Sequence, residues 1–344
     1  MKTLRVGIIG TGGIAQTHLQ GYKESEGVEV VAACDVREEA ARSTAQKWNI
    51  PNVYTDYRKM FKEQKLDLVS VATPNAFHMA PTVAALQAGC HVLCEKPIAM
   101  NAREGAIMCA AAKKARRMLD IGLNCRFIPG NQALKKFVVA GELGKIYYVR
   151  VQALRRRGIP GWGAFTRKDM SGGGPLIDIG VHQLDLALWL MGHPEPVSVT
   201  GNAYCVFGKR KNIFAPWGAW DPKTYTVEDM AAGMVRFRNG ATLTLEASWA
   251  AHIEHDVWNV SLMGTDGGAS TSPLRMFKEE QKTLLDVSPA QVPNLESHTA
   301  EVQALVHAIR TGGKAPVPGE QALMVTRILD GIYQSAKTGR EVRL

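Results

Sequence analysis

Residues 4–15 read LRVGIIGTGGIA, and this stretch decides the fold of the N-terminal part of the chain. A short apolar run leads directly into the pattern G-x-G-x-x-A, which is typical of the strand–turn–helix of a dinucleotide-binding fold. The first glycine allows a tight turn, the second lets backbone approach a pyrophosphate, and the small third residue lets helix and strand pack closely. The helix N-terminus then offers its N–H groups and positive dipole end to the phosphates. The candidate cofactor-binding residues of this turn are Gly10, Thr11, Gly12, Gly13, Ile14 and Ala15.

The next predicted strand, residues 28–34, ends at Asp35. This position, about 20 residues beyond the glycine turn, suits a carboxylate that accepts hydrogen bonds from the adenosine ribose. A negative charge there repels a 2′-phosphate and favours NAD, whereas the nearby Arg37 keeps NADP possible because a guanidinium binds phosphate. Both residues are candidate cofactor contacts. An alternative for Asp35 is a helix N-cap, with Glu38 at the capping-box position, and the two roles are compatible.

Strands and helices continue to alternate through the first third of the chain. Strands are predicted at residues 66–71, 91–94 and 118–122, and an alanine-rich helix at 102–117. Such alternation predicts a parallel, doubly wound sheet, whose ligands bind at the carboxyl ends of the strands. Seven further candidate cofactor-binding residues follow these strands: Thr73, Pro74, Asn75, His78, Glu95, Lys96 and Pro97.

Lys96 is also a candidate catalytic residue. It lies just past a buried strand and is followed by Pro97, so it is less mobile than a surface lysine. An ammonium group in that position suits proton transfer or hydrogen bonding to a substrate hydroxyl. The alternative is a solvated loop charge.

Residues 178–185 read DIGVHQLD and follow a run of three glycines at 172–174. If the segment is helical, Asp178, His182 and Asp185 lie on one face because they are spaced i, i+4 and i+7. An imidazole between two carboxylates is suited to acid–base chemistry, and with the dinucleotide motif it indicates a dehydrogenase. The alternative is the solvated polar face of an ordinary helix.

The rest of the chain predicts a different architecture, with two terminal helices at 298–310 and 320–336. Neighbouring strands, two of them joined by the hairpin signal Asn239-Gly240, predict an antiparallel sheet in an α+β domain. We therefore expect a Rossmann domain at 1–125 and a second domain at 126–344. Arg155 and Trp162 approach the glycine run and are candidate substrate-binding residues, while the aromatic loop 207–229 belongs beside the substrate or at a subunit contact. The strands are predicted at 146–154, 197–207, 230–238, 241–249 and 257–263.

Composition and charge exclude several classes of protein. With 344 residues, 46% hydrophobic and 21% charged, the chain is globular and large enough for two domains. The formal charge of +9 is dispersed and accompanies no recognised nucleic-acid motif, so we expect no nucleic-acid partner. No apolar run approaches the roughly 20 residues that cross a bilayer, so no membrane partner is expected.

The cysteines indicate a cytoplasmic protein. None of the six forms a C-x-x-C pair, and most lie in apolar segments, where a thiol acts as a small hydrophobe. Cys90, His91 and Cys94 have the spacing of metal ligands only on a helix, whereas 91–94 reads as a strand. We therefore expect no metal site there.

Taken together, the motifs resemble those of the Gfo/Idh/MocA oxidoreductases, the glucose–fructose oxidoreductase and inositol dehydrogenase family. The likeness is carried by the glycine turn and by TPNAFH at 73–78, EKP at 95–97 and DIGVHQLD at 178–185, and it covers nearly the whole chain. It implies a Rossmann domain followed by an open antiparallel sheet that forms a homodimer or homotetramer. It also implies that Lys96 and His182 act on a substrate hydroxyl beside Asp178, with Asp185 binding substrate or orienting His182.

These observations lead to one hypothesis for the reaction. A secondary hydroxyl of a sugar or cyclitol is oxidised, with the proton passing to His182 and the hydride to the nicotinamide, while Asp178 orients the imidazole and Lys96 hydrogen-bonds the oxygen. Which of Lys96 and His182 accepts the proton stays open. Three alternatives are an NAD-dependent glycosidase that oxidises its substrate transiently, a non-catalytic sugar or nucleotide sensor, and a metal-assisted variant with Asp178, His182 and Asp185 as ligands.

Overall fold

A computed structural model describes residues 3–344, so residues 1 and 2 of the predicted first domain lie outside the described residues. The strands are β1 Leu4–Ile9, β2 Val28–Cys34, β3 Asn52–Tyr54, β4 Leu68–Val71, β5 His91–Glu95, β6 Leu119–Gly122, β7 Ile146–Leu154, β8 Pro196–Tyr204, β9 Met230–Phe237, β10 Thr242–Ser248, β11 Val257–Gly264, β12 Gly267–Thr271, β13 Leu274–Glu280, β14 Thr283–Val287 and β15 Val342–Arg343. The helices are α1 Gly13–Lys23, α2 Glu38–Trp48, α3 Tyr57–Glu63, α4 Met79–Gln87, α5 Ala102–Ala115, α6 Pro129–Val139, α7 Lys168–Ser171, α8 Val181–Leu190, α9 Ser297–Thr311 and α10 Gly319–Thr338.

The chain forms two compact units. The first contains the chain up to Phe127 together with Leu295–Met324, and the second contains Ile128–Asn294 and Val325–Leu344. Helix α9 therefore belongs to the first unit, although it follows the strands of the second in sequence. Helix α10 begins in the first unit and ends in the second.

The first unit is built on a six-stranded sheet in the order β3-β2-β1-β4-β5-β6, with every pair parallel. This confirms the predicted doubly wound parallel sheet. The strand order reverses between β1 and β4, and ligands of such sheets bind at the carboxyl ends of the strands at that switch point. The glycine turn follows β1, and Thr73 comes two residues after β4, so both stand at this edge.

Helices α1 and α9 cover one face of this sheet. Leu4 and Leu68 on the strands share a core with Tyr22 on α1 and Val302 on α9. A Cβ added at Gly21 would lie 2.8 Å from Cβ of Val302, so glycine lets the two helices approach closely. The terminal segment 295–324 thus completes the core of the N-terminal unit.

The second unit contains a nine-stranded sheet in the order β14-β13-β12-β11-β7-β10-β9-β8-β15. The predicted hairpin is confirmed, because β9 and β10 pair antiparallel around Asn239-Gly240. The prediction of an antiparallel sheet is wrong for one pair of neighbouring strands, because β10 lies parallel to β7. The physical reason is connectivity: α8 carries the chain across, and the meander β8-β9-β10 then returns to place β10 beside β7. The fold class, a Rossmann sheet followed by a mostly antiparallel α+β unit, is confirmed.

Helix α8 packs on β7 and β11 of this sheet. A π-helical turn, Leu176–Gly180, precedes it without a break. Within residues 3–344, no helix combines the length and apolar character that crossing a membrane requires.

Candidate functional site

The turn between β1 and α1 has the shape that a pyrophosphate requires. Gly10 has φ +84°, and a Cβ there would lie 2.5 Å from the carbonyl oxygen of Ala72 after β4, so only glycine fits. A Cβ at Gly12 or Gly13 would meet nothing within 4 Å, which leaves open space in front of the N-terminus of α1. Tight packing behind the turn and open space before it fit a dinucleotide on the helix N-terminus.

Asp35 is fixed beside this turn. Its Oδ2 accepts hydrogen bonds from the Thr11 backbone N–H at 2.9 Å and the Thr11 hydroxyl at 3.0 Å. Its Oδ1 accepts from the Arg37 backbone N–H at 2.9 Å. Helix α2 begins at Glu38 with Arg37 as its N-cap, so the N-cap alternative for Asp35 is wrong. The Arg37 side chain is 75% exposed, with Nε 3.8 Å from Oδ1 of Asp35.

The loop after β4 is tied to the loop after β5 by His78. The Nε2 atom of its buried ring lies 2.9 Å from the Thr73 carbonyl oxygen, and Nδ1 lies 2.8 Å from that of Pro97. Burial lowers the pKa of His78, although the two carbonyl oxygens act in the opposite direction. Because a neutral imidazole donates from one nitrogen only, one of the two carbonyls receives the bond at a time. His78 thus holds Thr73, Pro74 and Asn75 in place relative to Lys96 and Pro97.

Glu95 at the end of β5 belongs to a buried polar chain. Its Oε1 lies 2.9 Å from Nε2 of His18, whose Nδ1 lies 3.2 Å from Oγ of Ser70, and Ser70 in turn bonds Tyr22 OH at 2.7 Å. Burial alone would raise the pKa of Glu95, but the hydrogen bond and charge of His18 with Lys96 and His298 outweigh it and hold that pKa at about 2. The Lys96 backbone N–H donates to Oε2 of Glu95 at 3.2 Å.

His18 and Ser70 are functional candidates that the sequence reasoning missed. A signal was available, because Ala15, His18, Leu19 and Tyr22 share the buried face of α1 at helical spacing. A histidine on an apolar face needs a buried partner, and Glu95 supplies it. Lys96 itself is half-buried and begins a cis peptide bond to Pro97.

In the second unit, the three residues of the DIGVHQLD motif lie on consecutive helical turns. Asp178 lies in the π-helical turn, and His182 and Asp185 lie in α8. The Trp249 Nε1–H donates to Oδ2 of Asp178 at 3.1 Å, which fixes the carboxylate. Asp185 is fully buried. The prediction that Asp178, His182 and Asp185 share one face assumed a regular α-helix, whereas Asp178 lies in a π-helical turn. Single π-helical turns are frequent at functional sites.

The start of this helix is anchored by Glu228, which the sequence reasoning did not single out. Its buried carboxylate accepts from the Gly174 N–H at 2.9 and 3.0 Å, from the Leu176 N–H at 3.2 Å and from the Tyr333 hydroxyl at 2.8 Å. Burial raises the pKa of Glu228, although these donors act in the opposite direction. The glycine run is required here, since a Cβ at Gly173 would lie 2.0 Å from Tyr333 OH and one at Gly174 would lie 2.1 Å from Glu228 O.

Arg155 and Trp162 lie in the same unit as this helix. The Arg155 guanidinium carbon is 4.2 Å from the centre of the Trp217 ring, and the Trp162 ring stacks on Trp217 with centroids 5.9 Å apart. Among residues 3–344, no group of three His, Cys, Asp or Glu side chains has the arrangement of a metal site.

The fold and the glycine cradle define a dinucleotide-binding Rossmann protein, and comparisons with known proteins give its family and its class of reaction. Residues 4–123 match the oxidoreductase family with an NAD-binding Rossmann fold, GFO_IDH_MocA, and residues 131–270 match the GFO/IDH/MocA C-terminal domain. The chain is 38% identical to D-glucoside 3-dehydrogenase of Escherichia coli over 99% of its own length and 97% of that protein. It belongs to the GFO/IDH/MocA family of NAD-binding oxidoreductases.

Solved structures agree with this assignment. An oxidoreductase domain protein from Kribbella flavida has a TM-score of 0.89 at 26% identity, covering 100% of this chain and 99% of that one. The aldose-aldose oxidoreductase from Caulobacter crescentus has a TM-score of 0.82 at 26% identity, covering 100% of both chains. The predicted family, fold and NAD-binding oxidoreductase class are confirmed.

Proposed function

We propose that this protein is an NAD-dependent dehydrogenase that interconverts a secondary hydroxyl of a sugar, glycoside or cyclitol and the corresponding ketone. The observation that carries the proposal is its full-length similarity to D-glucoside 3-dehydrogenase, in a chain whose own sequence contains Lys96, Asp178 and His182. Residues 1–125 hold the cofactor in this proposal, and residues 126–344 hold the substrate and form subunit contacts. Asp185, Arg155 and Trp162 bind the substrate.

The cofactor site in this proposal is the edge of the first sheet. The glycine turn holds the pyrophosphate and Asp35 the adenosine ribose, with Arg37 beside it, which favours NAD over NADP. Thr73, Pro74 and Asn75 line the end of β4, and His78 and Glu95 hold the backbone on either side of Lys96 and Pro97. Bound NAD supplies the hydride acceptor for oxidation, and NADH supplies the donor for reduction.

In this proposal, side chains of the protein accept the proton of the substrate hydroxyl and stabilise the resulting charges. His182 accepts the hydroxyl proton, and Asp178, held by Trp249, orients the imidazole and stabilises its charged form. Lys96 hydrogen-bonds the same oxygen and stabilises the negative charge that develops on it. General acid–base groups typically accelerate such steps by about 10²–10⁴-fold.

The test is reduction of NAD or NADP against a panel of inositols, aldoses and methyl glucosides, followed by variants on the best substrate. His182→Asn and Lys96→Met should each lower kcat by about 10²-fold or more. The matched controls are the exposed His255→Asn and Lys314→Met, which should keep wild-type turnover. Near-full turnover in both site variants would overturn the mechanism. If the protein binds the cofactor but turns over none of the panel substrates, the proposed function is wrong. It is also wrong if the aglycone is released with no net formation of NADH.

We also propose that the protein is a cytoplasmic homodimer or homotetramer assembled through the second sheet. All six cysteines, which lie within residues 3–344, are thiols, as suits a reducing compartment. Three apolar side chains, Met263, Phe277 and Leu284, share one face of strands β11, β13 and β14 through the register of the sheet. They are 40%, 40% and 84% exposed, which supports burial against a second copy.

A further inference from the structure

We propose that Trp162 and Trp217 form a ring-binding subsite for the part of a glycoside that is not oxidised, the aryl group or second sugar attached at the anomeric oxygen. This inference rests on the proposed function and specifies its substrate class. It adds Trp217 to the site and assigns to Trp162 a defined portion of the substrate. It also predicts that aryl glycosides and disaccharides are preferred to methyl glycosides and free sugars.

The two tryptophan rings form a stacked pair that stays partly exposed to solvent. Their centroids are 5.9 Å apart with an interplanar angle of 29°, and Trp162 also meets the ring of Phe165 edge-on at 6.3 Å. Trp162 is nevertheless 54% exposed and Trp217 37% exposed. A large apolar ring that is held in place but left open to solvent can bury further area when a flat ligand covers it.

The backbone holds this pair in advance of any ligand. The Gly161 N–H donates to the Trp217 carbonyl oxygen at 3.0 Å and joins the two loops. A Cβ at Gly161 would lie 2.3 Å from the carbonyl carbon of Gly218, which has φ +88°, so both glycines are needed for this approach. Because the stack is already ordered, binding does not have to supply the entropy of ordering it.

Arg155 connects the stack with the candidate proton-transfer helix. Its guanidinium lies over the Trp217 ring and donates from Nη1 to the Gly158 carbonyl at 3.1 Å. The Arg155 backbone N–H donates to the Ser248 carbonyl oxygen at 2.8 Å, and the next residue, Trp249, donates from Nε1 to Oδ2 of Asp178 at 3.1 Å. The aromatic pair is therefore connected, through Arg155 and the strand end at Ser248 and Trp249, to the carboxylate that orients His182 in the proposed reaction.

The indole rings of Trp162 and Trp217 favour a ligand group that is itself a ring. The C–H face of a pyranose and the face of an aryl group both pack on an indole, and a cation at the edge of the stack strengthens the interaction. A methyl group at the anomeric oxygen presents little area for such stacking. Loss of one aromatic contact should therefore weaken binding of ring-bearing glycosides by about tenfold and leave methyl glycosides nearly unchanged.

The first test compares KM for phenyl β-glucoside and methyl β-glucoside in wild type, Trp162→Ala, Trp162→Phe and Phe137→Ala. Trp162→Ala should raise KM about tenfold for the phenyl glycoside only, with kcat retained, and Trp162→Phe should recover most of the loss. Phe137 is an aromatic side chain on α6 of the same unit, outside the aromatic loop and 37% exposed like Trp217, so Phe137→Ala is the matched control and should change neither KM. Equal changes for both substrates, or none for either, would overturn the subsite.

The second test separates failure of the subsite from failure of the proposed function. Calorimetric binding of phenyl and methyl β-glucoside to the protein with NADH needs no turnover. Tighter binding of the phenyl glycoside that disappears in Trp162→Ala supports the subsite even if no glycoside is oxidised. Equal affinity of the two glycosides for wild type overturns the subsite even if both are oxidised.

Discussion

At the scale of single residues, Asp35 is the carboxylate that we propose to select the cofactor at the edge of the first sheet. Its two oxygens already accept three hydrogen bonds from Thr11 and Arg37, so the negative charge stands in a fixed position beside the glycine turn. A carboxylate has lone pairs left for ribose hydroxyls but repels a phosphate on the same ribose. In the proposed function, the preference between NAD and NADP therefore depends on the charge of Asp35 more than on its packing.

We expect Asp35→Ser to shift preference from NAD towards NADP. Removing the charge removes both the ribose acceptor and the repulsion, and the exposed Arg37 is then available to a 2′-phosphate. The ratio of kcat/KM for NAD over NADP should fall by roughly tenfold or more. Thr11→Val is the matched control, since it removes one hydrogen bond to Asp35 and keeps the charge, so its ratio should stay near wild type. An unchanged ratio in Asp35→Ser would contradict this account.

Asp120 on β6 is a second buried carboxylate with a different consequence. Its Oδ1 accepts from the Val317 N–H at 2.6 Å, while Oδ2 has no hydrogen-bond partner among the described residues. Burial raises the pKa of Asp120 to about 8, although Val317 and the charge of Arg126 act in the opposite direction. The folded protein therefore binds this proton more tightly than the unfolded chain, where the ordinary value is 3.8.

It follows that Asp120 stabilises the fold fully below about pH 4 and that this contribution is lost as pH rises towards 8. Asp120→Asn mimics the protonated form and keeps the acceptor for Val317, so it should remove this loss. We expect thermal unfolding midpoints to match near pH 4 and the variant to be more stable at pH 9, by as much as several kcal/mol. A wild-type advantage at pH 9 would show that the carboxylate is ionised and compensated in the fold.

At the scale of elements, the Glu228 carboxylate stabilises the start of the helical segment that carries Asp178 and His182. Helices need acceptors for their first N–H groups, and Glu228 supplies one carboxylate to Gly174 and Leu176 at the start of the π-helical turn. Because this acceptor is Glu228, which is distant in sequence, the pattern of residues 172–185 predicts the helix but not the residue that caps it.

We expect Glu228→Ala to lower stability by roughly 1–3 kcal/mol for each buried N–H left without an acceptor, and to lower kcat because Asp178 loses its fixed position. Tyr333→Phe removes a single donor and keeps the carboxylate, so its effects should be smaller. Unfolding midpoints and kcat on the same substrate measure both. Full activity in Glu228→Ala would show that Trp249 alone holds Asp178.

The elements that could be predicted were those with strong local patterns. Strands β1, β2 and β5 and helices α9 and α10 lie within a few residues of their predicted bounds. Strand β3, three residues long, has too little pattern. Strand β12 does not alternate between buried and exposed residues, and most residues of β13 and β14 are exposed. Contacts made across the chain, such as His18 with Glu95, leave only indirect traces in a single sequence.

At the scale of the whole molecule, the long-range connections between elements were harder to predict than the elements themselves. The return of residues 295–324 to the first unit depends on the packing of Val302 against Gly21, a contact between positions far apart in sequence. The parallel pairing of β7 and β10 likewise depends on a long return path, whereas the hairpin at Asn239-Gly240 is encoded locally. Motif spacing nevertheless predicted the family, because the glycine turn and the Asp-x-Gly-x-His-x-x-Asp segment are each local.

Assembly of the whole molecule is the last expectation that the structure makes testable. The register places Met263, Gly268 and Phe277 in one row across β11, β12 and β13, and apolar side chains on an exposed sheet face favour association with a second copy. We expect wild type to sediment at two or four times the 37.5 kDa of the chain. Met263→Glu with Phe277→Glu should shift it to the monomer, because association would bury four like charges for each pair of subunits. Lys62→Glu, a charge change on α3 of the other unit, is the control and should leave assembly intact. A monomeric wild type would contradict assembly itself, and a variant that keeps the wild-type mass would place the contact elsewhere on the protein.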